Sequence, residues 1–588
     1  MTDADIHRVL RSSFGLDAFR PHQEEVVRAV LAGRDALLCL PTGGGKSLTY
    51  QLPALVLDGL TLVISPLIAL MDDQVRALQE RGLRAACVHS QVERSERQRR
   101  LEQAARGELD LLYVTPERLR SPAFRALASR LPLSRMAIDE AHCVSQWGHD
   151  FRPDYSRLAV YREELGNPPT LAVTATATPR VAEDICSRVG LREPLVVRAG
   201  IERPNLFLAA TEVFDEDERL ELVGARLRAL EGAGIVYLTR IRDLERLAED
   251  LRAGGLRTLA YHGGMSAHER RRAQRRWTES ADEVVLATPA FGLGVDKPDC
   301  RFVLHAQAPR TLEAWLQELG RAGRDGQPAW CELLFHEEDI ELQRSFIRWA
   351  NPSREYLLQV HDFLASLGER LALFEADDVR RELLVKERHD RRLELCMRWL
   401  DTLGVTRGSL EERDLEFLRP LLPSELPEGV GSAEKERGDL LALLGVVEAV
   451  RDRSTCRRAA FAAHFGLEAA ASCGACDACV EAGAALARVG GSRERGPRRP
   501  ARPAAPEGGS SGSSTPRGPE VERLEGAAAG ATFQRGDWVQ TGGRHLGRVV
   551  RVEGSGARVK LVVESQTDLR RRTIDPRRVR VERLDPGR

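Results

Sequence analysis

The chain has 588 residues, of which 42% are hydrophobic and 30% are charged, so it predicts several folded domains and excludes a chain that is disordered throughout. The net charge of −1 does not by itself indicate a nucleic-acid or membrane partner. The sequence has no apolar run of about 18 residues and no apolar core of a secretory signal at its N-terminus, so we expect a cytoplasmic protein without a membrane span.

Short apolar runs alternate with amphipathic stretches over residues 1–345. Helical patterns such as LIALMDDQVRALQERG lie between the runs. The runs are rich in Val, Leu and Ile, as is typical of parallel strands buried on both faces; they include DALLCL, TLVISPL, LDLLYVTP, RMAIDEA, TLAVTATAT, AGIVYLT and DEVVLATP. This alternation predicts two α/β domains with parallel sheets, residues 1–205 and 206–345, which divide near GIERPNLFLAA.

The stretch LPTGGGKSLTY, residues 40–50, follows the first of these runs. A Gly-rich loop that ends in Lys-Ser and leads into a helix is typical of a phosphate site, because backbone N–H groups and the helix N-terminus face the anion. We predict that Lys46 reaches the β- and γ-phosphates of ATP and that Ser47 helps to hold Mg²⁺. The residues expected to bind ATP here are Thr42, Gly43, Gly44, Gly45, Lys46 and Ser47. An ordinary Gly-rich turn is the alternative, but only five of the 87 basic residues are Lys, which favours a specific role for this one.

Two acidic residues come directly after a predicted buried strand in the run MAIDEAH. Asp139 at the end of that strand can reach the Mg²⁺ shell, and Glu140 can orient and deprotonate an attacking water. A surface acidic pair is the alternative, and the phosphate loop (residues 40–47) upstream favours the catalytic interpretation.

Two arginines lie in QELGRAGRDG, residues 317–326, within the second predicted domain. Arg321 and Arg324 are three residues apart and therefore share one face of a helical turn. From there the guanidinium groups can reach across an interdomain cleft and stabilise the charge that develops on the γ-phosphate. A solvated basic helix is the alternative.

Four of the eleven cysteines cluster late in the chain, within residues 431–485. They are Cys456, Cys473, Cys476 and Cys479, and their spacings suit a tetrahedral structural zinc site. An iron–sulfur cluster remains open at this point, because a close Cys triplet with a distant fourth Cys also binds iron. The preceding residues, 346–430, are predicted to be mainly helical, either winged-helix-like or a plain helical bundle.

The composition changes after the cysteines. Residues 486–530 are dominated by Pro, Gly, Ser and Arg and contain almost nothing to bury, so we predict a disordered linker. Residues 531–588 alternate apolar and polar residues between Gly turns, which predicts a small antiparallel unit that resembles Tudor-like β-barrels. This unit has 14 basic and 7 acidic residues. It can therefore bind nucleic acid or dock a protein, unless the charges only solvate its surface.

Together and in this order, these blocks resemble the RecQ family of superfamily 2 DNA helicases. The resemblance covers residues 1–345 and resumes at 451–480; it rests on PTGGGKSLTYQLPAL, ISPLIALMDDQV, YVTPERL, IDEAHC, TATAT, YHGGM, ATPAFGLGVDKP and QELGRAGRDG. It implies a monomeric, ATP-driven enzyme that moves 3′ to 5′ on single-stranded DNA and unwinds duplexes in DNA repair and recombination. The segment FGLDAFRPHQ resembles the family's adenine-recognition segment, which implies base contacts from Arg20 and Gln23. The cysteine spacing resembles the family's zinc module, which favours zinc over iron.

The stretch CVSQWGHDFRPDY, residues 143–155, resembles the family's aromatic-rich loop, which joins the ATP site to single-stranded DNA. Bases stack on aromatic faces whatever their sequence, so Trp147 and Phe151 are candidates for stacking and Arg152 for a phosphate contact. His142 is expected to link the catalytic pair to this aromatic loop. The alternative is a hydrophobic loop wedged between domains.

Two other functions are compatible with the residues. A DEAH-type RNA helicase shares the acidic motif, and an ATP-gated DNA-binding scaffold would use the same nucleotide site with little unwinding. The zinc module and the aromatic loop favour a DNA helicase.

Overall fold

The structure is a computed structural model in which the chain divides into two compact units, Met1–Glu494 and Arg495–Arg588. It describes residues 3–145, 147–148, 151–201, 203–292, 297–374, 376–383, 390, 392–408, 410, 415–426, 430–480, 538–541, 545–553, 560–565, 571–574 and 581–584. The predicted linker at 486–530 lies outside these residues. No helix among them is long and apolar enough to cross a membrane.

The first sheet has seven strands that all pair in parallel, in the order β3-β4-β2-β5-β6-β1-β7. The strands are β1 (Ala36–Cys39), β2 (Leu60–Ile64), β3 (Ala85–Val88), β4 (Leu111–Val114), β5 (Leu133–Ile138), β6 (Thr170–Thr174) and β7 (Leu195–Arg198). The helices are α1 (Asp3–Phe14), α2 (Gln23–Leu31), α3 (Leu48–Val56), α4 (Ile68–Glu80), α5 (Arg94–Ala105), α6 (Pro122–Ala128), α7 (Leu158–Glu164) and α8 (Pro179–Val189). Every residue of β1, β2, β3, β4 and β6 is buried, as the apolar runs predict.

The second sheet has six parallel strands in the order β10-β11-β9-β12-β13-β8, so β8 is an edge strand. The strands are β8 (Leu206–Glu212), β9 (Ala233–Tyr237), β10 (Leu259–Tyr261), β11 (Val284–Ala287), β12 (Cys300–His305) and β13 (Ala329–Phe335). The helices are α9 (Glu216–Ala229), α10 (Ile241–Ala253), α11 (Ala267–Glu279), α12 (Leu312–Leu319) and α13 (Glu338–Ala350). The expectation of two parallel-sheet domains is confirmed.

A helical region with its own hydrophobic core follows. It contains α14 (Arg354–Leu367), α15 (Ala376–Glu382), α16 (Arg392–Thr402) and an antiparallel hairpin of β14 (Thr406–Arg407) and β15 (Glu416–Phe417). Leu364, Leu393 and Trp399 belong to its core. The winged-helix and the plain-bundle interpretations of this region both stay predictions. Two further helices, α17 (Ala433–Arg451) and α18 (Arg457–His464), lead into the cysteine cluster.

The C-terminal unit contains five antiparallel strands in the order β19-β18-β17-β16-β20. They are β16 (Trp538–Thr541), β17 (His545–Glu553), β18 (Lys560–Ser565), β19 (Arg571–Ile574) and β20 (Val581–Leu584). This confirms a small antiparallel unit, while its closure into a Tudor-like barrel stays a prediction.

Candidate active site

The candidate catalytic residues gather at one edge of the first sheet. β1 and β5 both pair in parallel with β6, so the carboxyl ends of these three strands lie side by side. The phosphate loop follows β1, and Asp139 follows β5. Ligands of parallel α/β sheets bind outside the carboxyl ends of strands, which is where the chain places these residues.

The phosphate loop wraps around the N-terminus of α3. Gly43 and Gly45 both have φ of 80°, a left-handed conformation that favours glycine. The half-buried Lys46 donates from Nζ to the carbonyl of Leu40 at 3.1 Å. Ser47 is the N-cap residue of α3, and its Oγ accepts a hydrogen bond from Gln74 Nε2 at 3.1 Å. The loop therefore presents an ammonium and a hydroxyl at a helix N-terminus, as phosphate binding requires.

The predicted adenine contacts lie against the same loop. Gln23 Nε2 donates to the carbonyls of Gly44 and Gly45 at 3.1 and 3.0 Å, and the Arg20 guanidinium donates to the carbonyl of Gly43. The Arg20 N–H in turn donates to Gln23 Oε1 at 2.8 Å. Both side chains thus hold the phosphate loop and are within reach of a nucleotide bound there.

Asp139 and Glu140 form a strained acidic pair. Glu140 has φ of 48° and ψ of 46°, a left-handed conformation that is uncommon for a residue with a side chain. Burial, and then the neighbouring Glu140 carboxylate, raise the pKa of Asp139 to about 7. Burial lowers the pKa of Lys46, and both carboxylates oppose that effect. Two carboxylates and one ammonium therefore share a buried site in which a cation bound by Asp139 would favour its ionised form.

His142 connects this pair with the neighbouring strand. Its Nδ1 lies 3.3 Å from Glu140 Oε2 and 2.9 Å from Thr174 Oγ1 at the end of β6. Burial opposes a charge on the ring, but Cys143 and Glu140 outweigh it and raise the pKa of His142 well above its usual value. The imidazole therefore links the acidic pair to the segment that continues into the aromatic loop.

Of the two predicted arginines, one lies at the phosphate loop and the other does not. The Arg324 side chain crosses the cleft, and a Cβ on Gly43 would sit 3.4 Å from its Cγ. Arg321 is 6% exposed and donates instead to the carbonyl of Gly292 within the second domain. Arg324 is thus brought to the phosphate loop and Arg321 is not.

Trp147 of the aromatic loop is half-buried between two elements. The Arg180 guanidinium lies 3.5 Å from the centre of its ring. A Cβ on Gly438 of α17 would lie 3.2 Å from Trp147 Cζ3. Both contacts cover ring surface that a base would need.

Phe151 and Arg152 also make internal contacts. The rings of Phe151 and Trp399 of α16 are 5.8 Å apart and tilted by 34°. Arg152 donates to the carbonyl of Pro66 at 3.2 Å. In this arrangement the aromatic loop packs between domains, as the alternative to a DNA contact predicts, while its position beside the acidic pair fits the coupling role.

The four clustered cysteines fit a single metal ion. Their sulfur atoms all lie within 4.8 Å of one another, and those of Cys456 and Cys476 are 4.0 Å apart. Zn–S bonds of about 2.3 Å in a tetrahedron place the sulfurs roughly 3.8 Å apart, whereas a cubane iron–sulfur cluster binds each thiolate to a different iron. A hydrogen bond with Ser472 is the main cause that lowers the pKa of Cys479 to about 6, while burial raises that of Cys476 to about 12. A bound cation is what would ionise all four thiols.

The cysteine loop adds to the edge of the second sheet. Leu208 of β8 forms a parallel bridge with Cys476, and its N–H and C=O make backbone hydrogen bonds of 3.1 and 2.9 Å beside that residue. Asp477 accepts from the Ala210 N–H at 2.9 Å and pairs with Arg457 at 2.7 Å. The metal site is therefore tied directly to the second parallel sheet.

Two residues beside the nucleotide site had no predicted role. Gln74 holds Ser47 and also accepts from the hydroxyl of Tyr50 at 2.9 Å. It lies in the block ISPLIALMDDQV, which carries the resemblance but no assigned contact. Arg203 donates to the carbonyl of Thr42 at 3.4 Å from the segment between the two sheets. No local sequence signal indicates that contact, because its acceptor is a backbone carbonyl.

Three family models match the chain in the predicted order. They are the DEAD/DEAH box helicase at residues 20–185, the helicase conserved C-terminal domain at 218–326 and the RecQ zinc-binding module at 413–480. The third match contains all four clustered cysteines, which confirms the preference for zinc over iron.

Curated bacterial proteins are similar over much of the chain. The probable ATP-dependent DNA helicase RecS of Bacillus subtilis is 41% identical over 62% of this chain and 74% of its own length. The ATP-dependent DNA helicase RecQ of Synechocystis is 37% identical over 81% of this chain and 98% of its own length. The RecQ protein of Bacillus subtilis is 43% identical, and the matched region spans 58% of its length.

Proposed function

Because the chain belongs to the RecQ family of ATP-dependent DNA helicases, we propose that it moves 3′ to 5′ along single-stranded DNA and separates duplexes. We assign this activity to DNA repair and recombination in the cytoplasm, with the chain acting as a monomer. The relatives are named DNA helicases and the chain carries their zinc module, so an RNA helicase and a scaffold with little unwinding are less well supported.

One observation carries the proposal: Arg324 from the second domain lies against the phosphate loop that carries Lys46. A Cβ on Gly43 would sit 3.4 Å from the Arg324 side chain. Groups from two domains thus surround one phosphate site, so ATP bound there is sensitive to the width of the cleft. This is the arrangement that converts ATP hydrolysis into domain movement.

We assign the chemistry of this site to the following side chains. Lys46 binds the β- and γ-phosphate oxygens, and Arg324 stabilises the charge that develops on the γ-phosphate. Glu140 orients a water and accepts its proton. Arg20 and Gln23 contact the adenine. Ser47 and Asp139 would hold Mg²⁺, which neutralises phosphate charge.

The aromatic loop couples this site to DNA in the proposed cycle. Trp147 and Phe151 stack on bases and Arg152 binds a phosphate, after they leave their internal contacts. Stacking contributes about 1–3 kcal/mol per base, whereas a cation–π contact such as that with Arg180 contributes about 0.5–2 kcal/mol. Stacking of Trp147 on a base can therefore compensate for loss of its contact with Arg180. Arg321 serves the cycle by holding the second domain's loop at Gly292.

The C-terminal unit is assigned to recruitment. Its excess of basic residues suits either DNA phosphates or an acidic protein surface. We propose that residues 531–588 form a Tudor-like barrel that adds one of these contacts to the helicase core, through a linker at 486–530.

An unwinding assay with four substrates tests the proposal. The full chain should separate a 3′-tailed DNA duplex with ATP and Mg²⁺, and act weakly on 5′-tailed DNA and on both tailed RNA duplexes. Lys46→Ala protein is the matched control for strand separation without ATP hydrolysis. Preferential unwinding of RNA would support the RNA helicase, and DNA-stimulated ATPase without strand separation would support the scaffold.

A further inference from the structure

Arg203 connects the segment between the two sheets with the phosphate loop and with residues 320–323. It lies in the segment between β7 and β8, which joins the two sheets. Its guanidinium donates to the carbonyl of Thr42 in the phosphate loop at 3.4 Å. It also donates to the carbonyls of Gly320, Ala322 and Gly323, at 3.3, 2.8 and 2.7 Å. These three carbonyls belong to the loop between α12 and β13, which also contains Arg324.

A second residue of the same segment holds the same loop. Asn205 Nδ2 donates to the carbonyls of Gly323 and Gln327, both at 2.8 Å. Gly323 has φ of 52°, and a Cβ there would lie 2.5 Å from Asn205 Nδ2. The conformation of the loop is therefore determined by the interdomain segment as well as by its own sequence.

The described partners of the Arg203 charge are carbonyls. Within the described part of the chain, no carboxylate forms an ion pair with it. Burial lowers the pKa of Arg203; Cys331 opposes that effect, and nearby Arg324 and Arg20 add to it. The partners of this half-buried guanidinium are therefore four backbone carbonyls, which accept charge-assisted hydrogen bonds. Such a residue is favoured where its five fixed donors are needed for geometry.

We propose that Arg203 is a positioning residue for ATP hydrolysis. It holds residues 320–323 in the conformation that presents Arg324 to the phosphate loop. The bond to Thr42 is the longest of the four and the one that joins it to the first domain. This inference rests on the proposed function and adds to it a residue that acts through Arg324.

A double-mutant cycle tests the inference in the full-length protein. Arg203→Ala should lower kcat of DNA-stimulated ATP hydrolysis roughly tenfold or more, and change KM for ATP less than about threefold. In an Arg324→Ala background the same change should have less than about a twofold further effect, because the residue it positions is gone. Arg203→Lys should leave most of the defect, since one ammonium cannot bond four carbonyls. A normal kcat for Arg203→Ala, or losses that multiply in the double variant, would overturn the inference.

Arg198→Ala is the matched control. Arg198 is also a half-buried arginine near the domain junction, and it donates to the backbone carbonyls of Ala177 and Phe465. Among the hydrogen bonds of the described residues, none joins it to residues 320–323. Its loss should leave kcat within about twofold of wild type. A general loosening of the interface would instead lower kcat in both variants.

Hydrogen exchange separates this inference from the proposed function. Without nucleotide, amides of residues 316–327 should exchange about tenfold faster in Arg203→Ala than in wild type or Arg198→Ala. This readout does not require ATPase activity. If the wild-type chain failed to hydrolyse ATP, the proposed function would fall while faster exchange still supported the loop contact. Unchanged exchange would refute the role of Arg203 whatever the ATPase activity.

Discussion

Lysine is scarce in this chain, and three of its five lysines occupy specific sites. Lys46 lies in the phosphate loop with Nζ on the Leu40 carbonyl. Lys297 is 4% exposed and donates to the carbonyls of Thr278 and Ser280, at the C-terminal end of α11. Lys435 pairs with Asp439. A compact ammonium fits such places where a planar guanidinium does not, which supports a specific role for Lys46.

Lys46→Ala should abolish ATP hydrolysis without loss of the fold. The side chain meets ligand and loop carbonyls, not the hydrophobic core, so the melting temperature should fall by no more than a few degrees. Turnover should fall about a thousandfold or more. Lys46→Arg keeps the charge and should fail to rescue activity. Near-normal turnover in either variant would contradict the assignment of the phosphate loop.

Glu140→Gln should separate nucleotide binding from hydrolysis. The amide keeps the shape of the carboxylate but cannot accept a proton from water, so kcat should fall by about 10²–10⁴. Binding of a fluorescent ATP analogue should change little. Glu283→Gln, at a half-buried acid that pairs with Arg276 on the second domain, is the control and should leave both quantities unchanged.

At the scale of elements, the aromatic loop is held by segments far away in the chain. Trp147 touches Gly438 of α17, and Phe151 packs on Trp399 of α16. Neither helix belongs to a parallel-sheet domain. The conformation of the loop therefore depends on the helical region and the zinc module as well as on the nucleotide site.

Trp147→Ala should uncouple the enzyme without inactivating it. Basal ATPase should stay within about threefold of wild type, because the phosphate chemistry is untouched. Stimulation by single-stranded DNA and unwinding should both fall about tenfold or more, since base stacking is lost. Trp147→Phe keeps an aromatic face and should recover part of both. Stimulation and unwinding at wild-type levels in the Ala variant would mean that the loop only packs between domains.

The cysteine site should hold one zinc ion per chain. Cys476→Ser should reduce bound zinc, measured by elemental analysis, and lower the melting temperature, because metal binding there is coupled to folding. Cys396→Ser is the control: Cys396 is a buried core residue of α16, so zinc content should stay at one. A brown protein with bound iron would contradict the zinc assignment.

At the scale of the whole molecule, we predict that the C-terminal unit can be removed without loss of the helicase core. Removal of residues 487–588 should leave ATPase and unwinding within about twofold of the full chain, since the cut falls where the sequence has little to bury. If the unit binds phosphates, the full chain should lose DNA affinity more steeply with salt than the truncated one. Equal salt slopes would assign the unit to a protein partner, and loss of all ATPase would show that the domain boundary is wrong.

The sequence predicts those features whose chemistry needs fixed residue types at short spacing. The phosphate loop, the Asp139–Glu140 pair and the four cysteines are of this kind, and strand burial makes both parallel sheets visible as apolar runs. Contacts between distant segments leave no such pattern. Arg203 bonds backbone carbonyls 117 to 120 residues further along the chain, and carbonyls look the same in every sequence. The sequence does not predict the packing of Trp147 on Gly438 either, because a glycine allows a close approach without indicating which residue makes it.

The parallel bridge between Leu208 and Cys476 has a consequence for protein handling. β8 is the outer strand of its sheet, and an uncovered strand edge offers unpaired backbone groups to other chains. Zinc held by the four cysteines would keep their loop folded over that edge. Removal of the metal by a chelator should therefore expose β8. The demetallated protein should self-associate through this strand. Light scattering should rise with protein concentration before ATPase activity is lost.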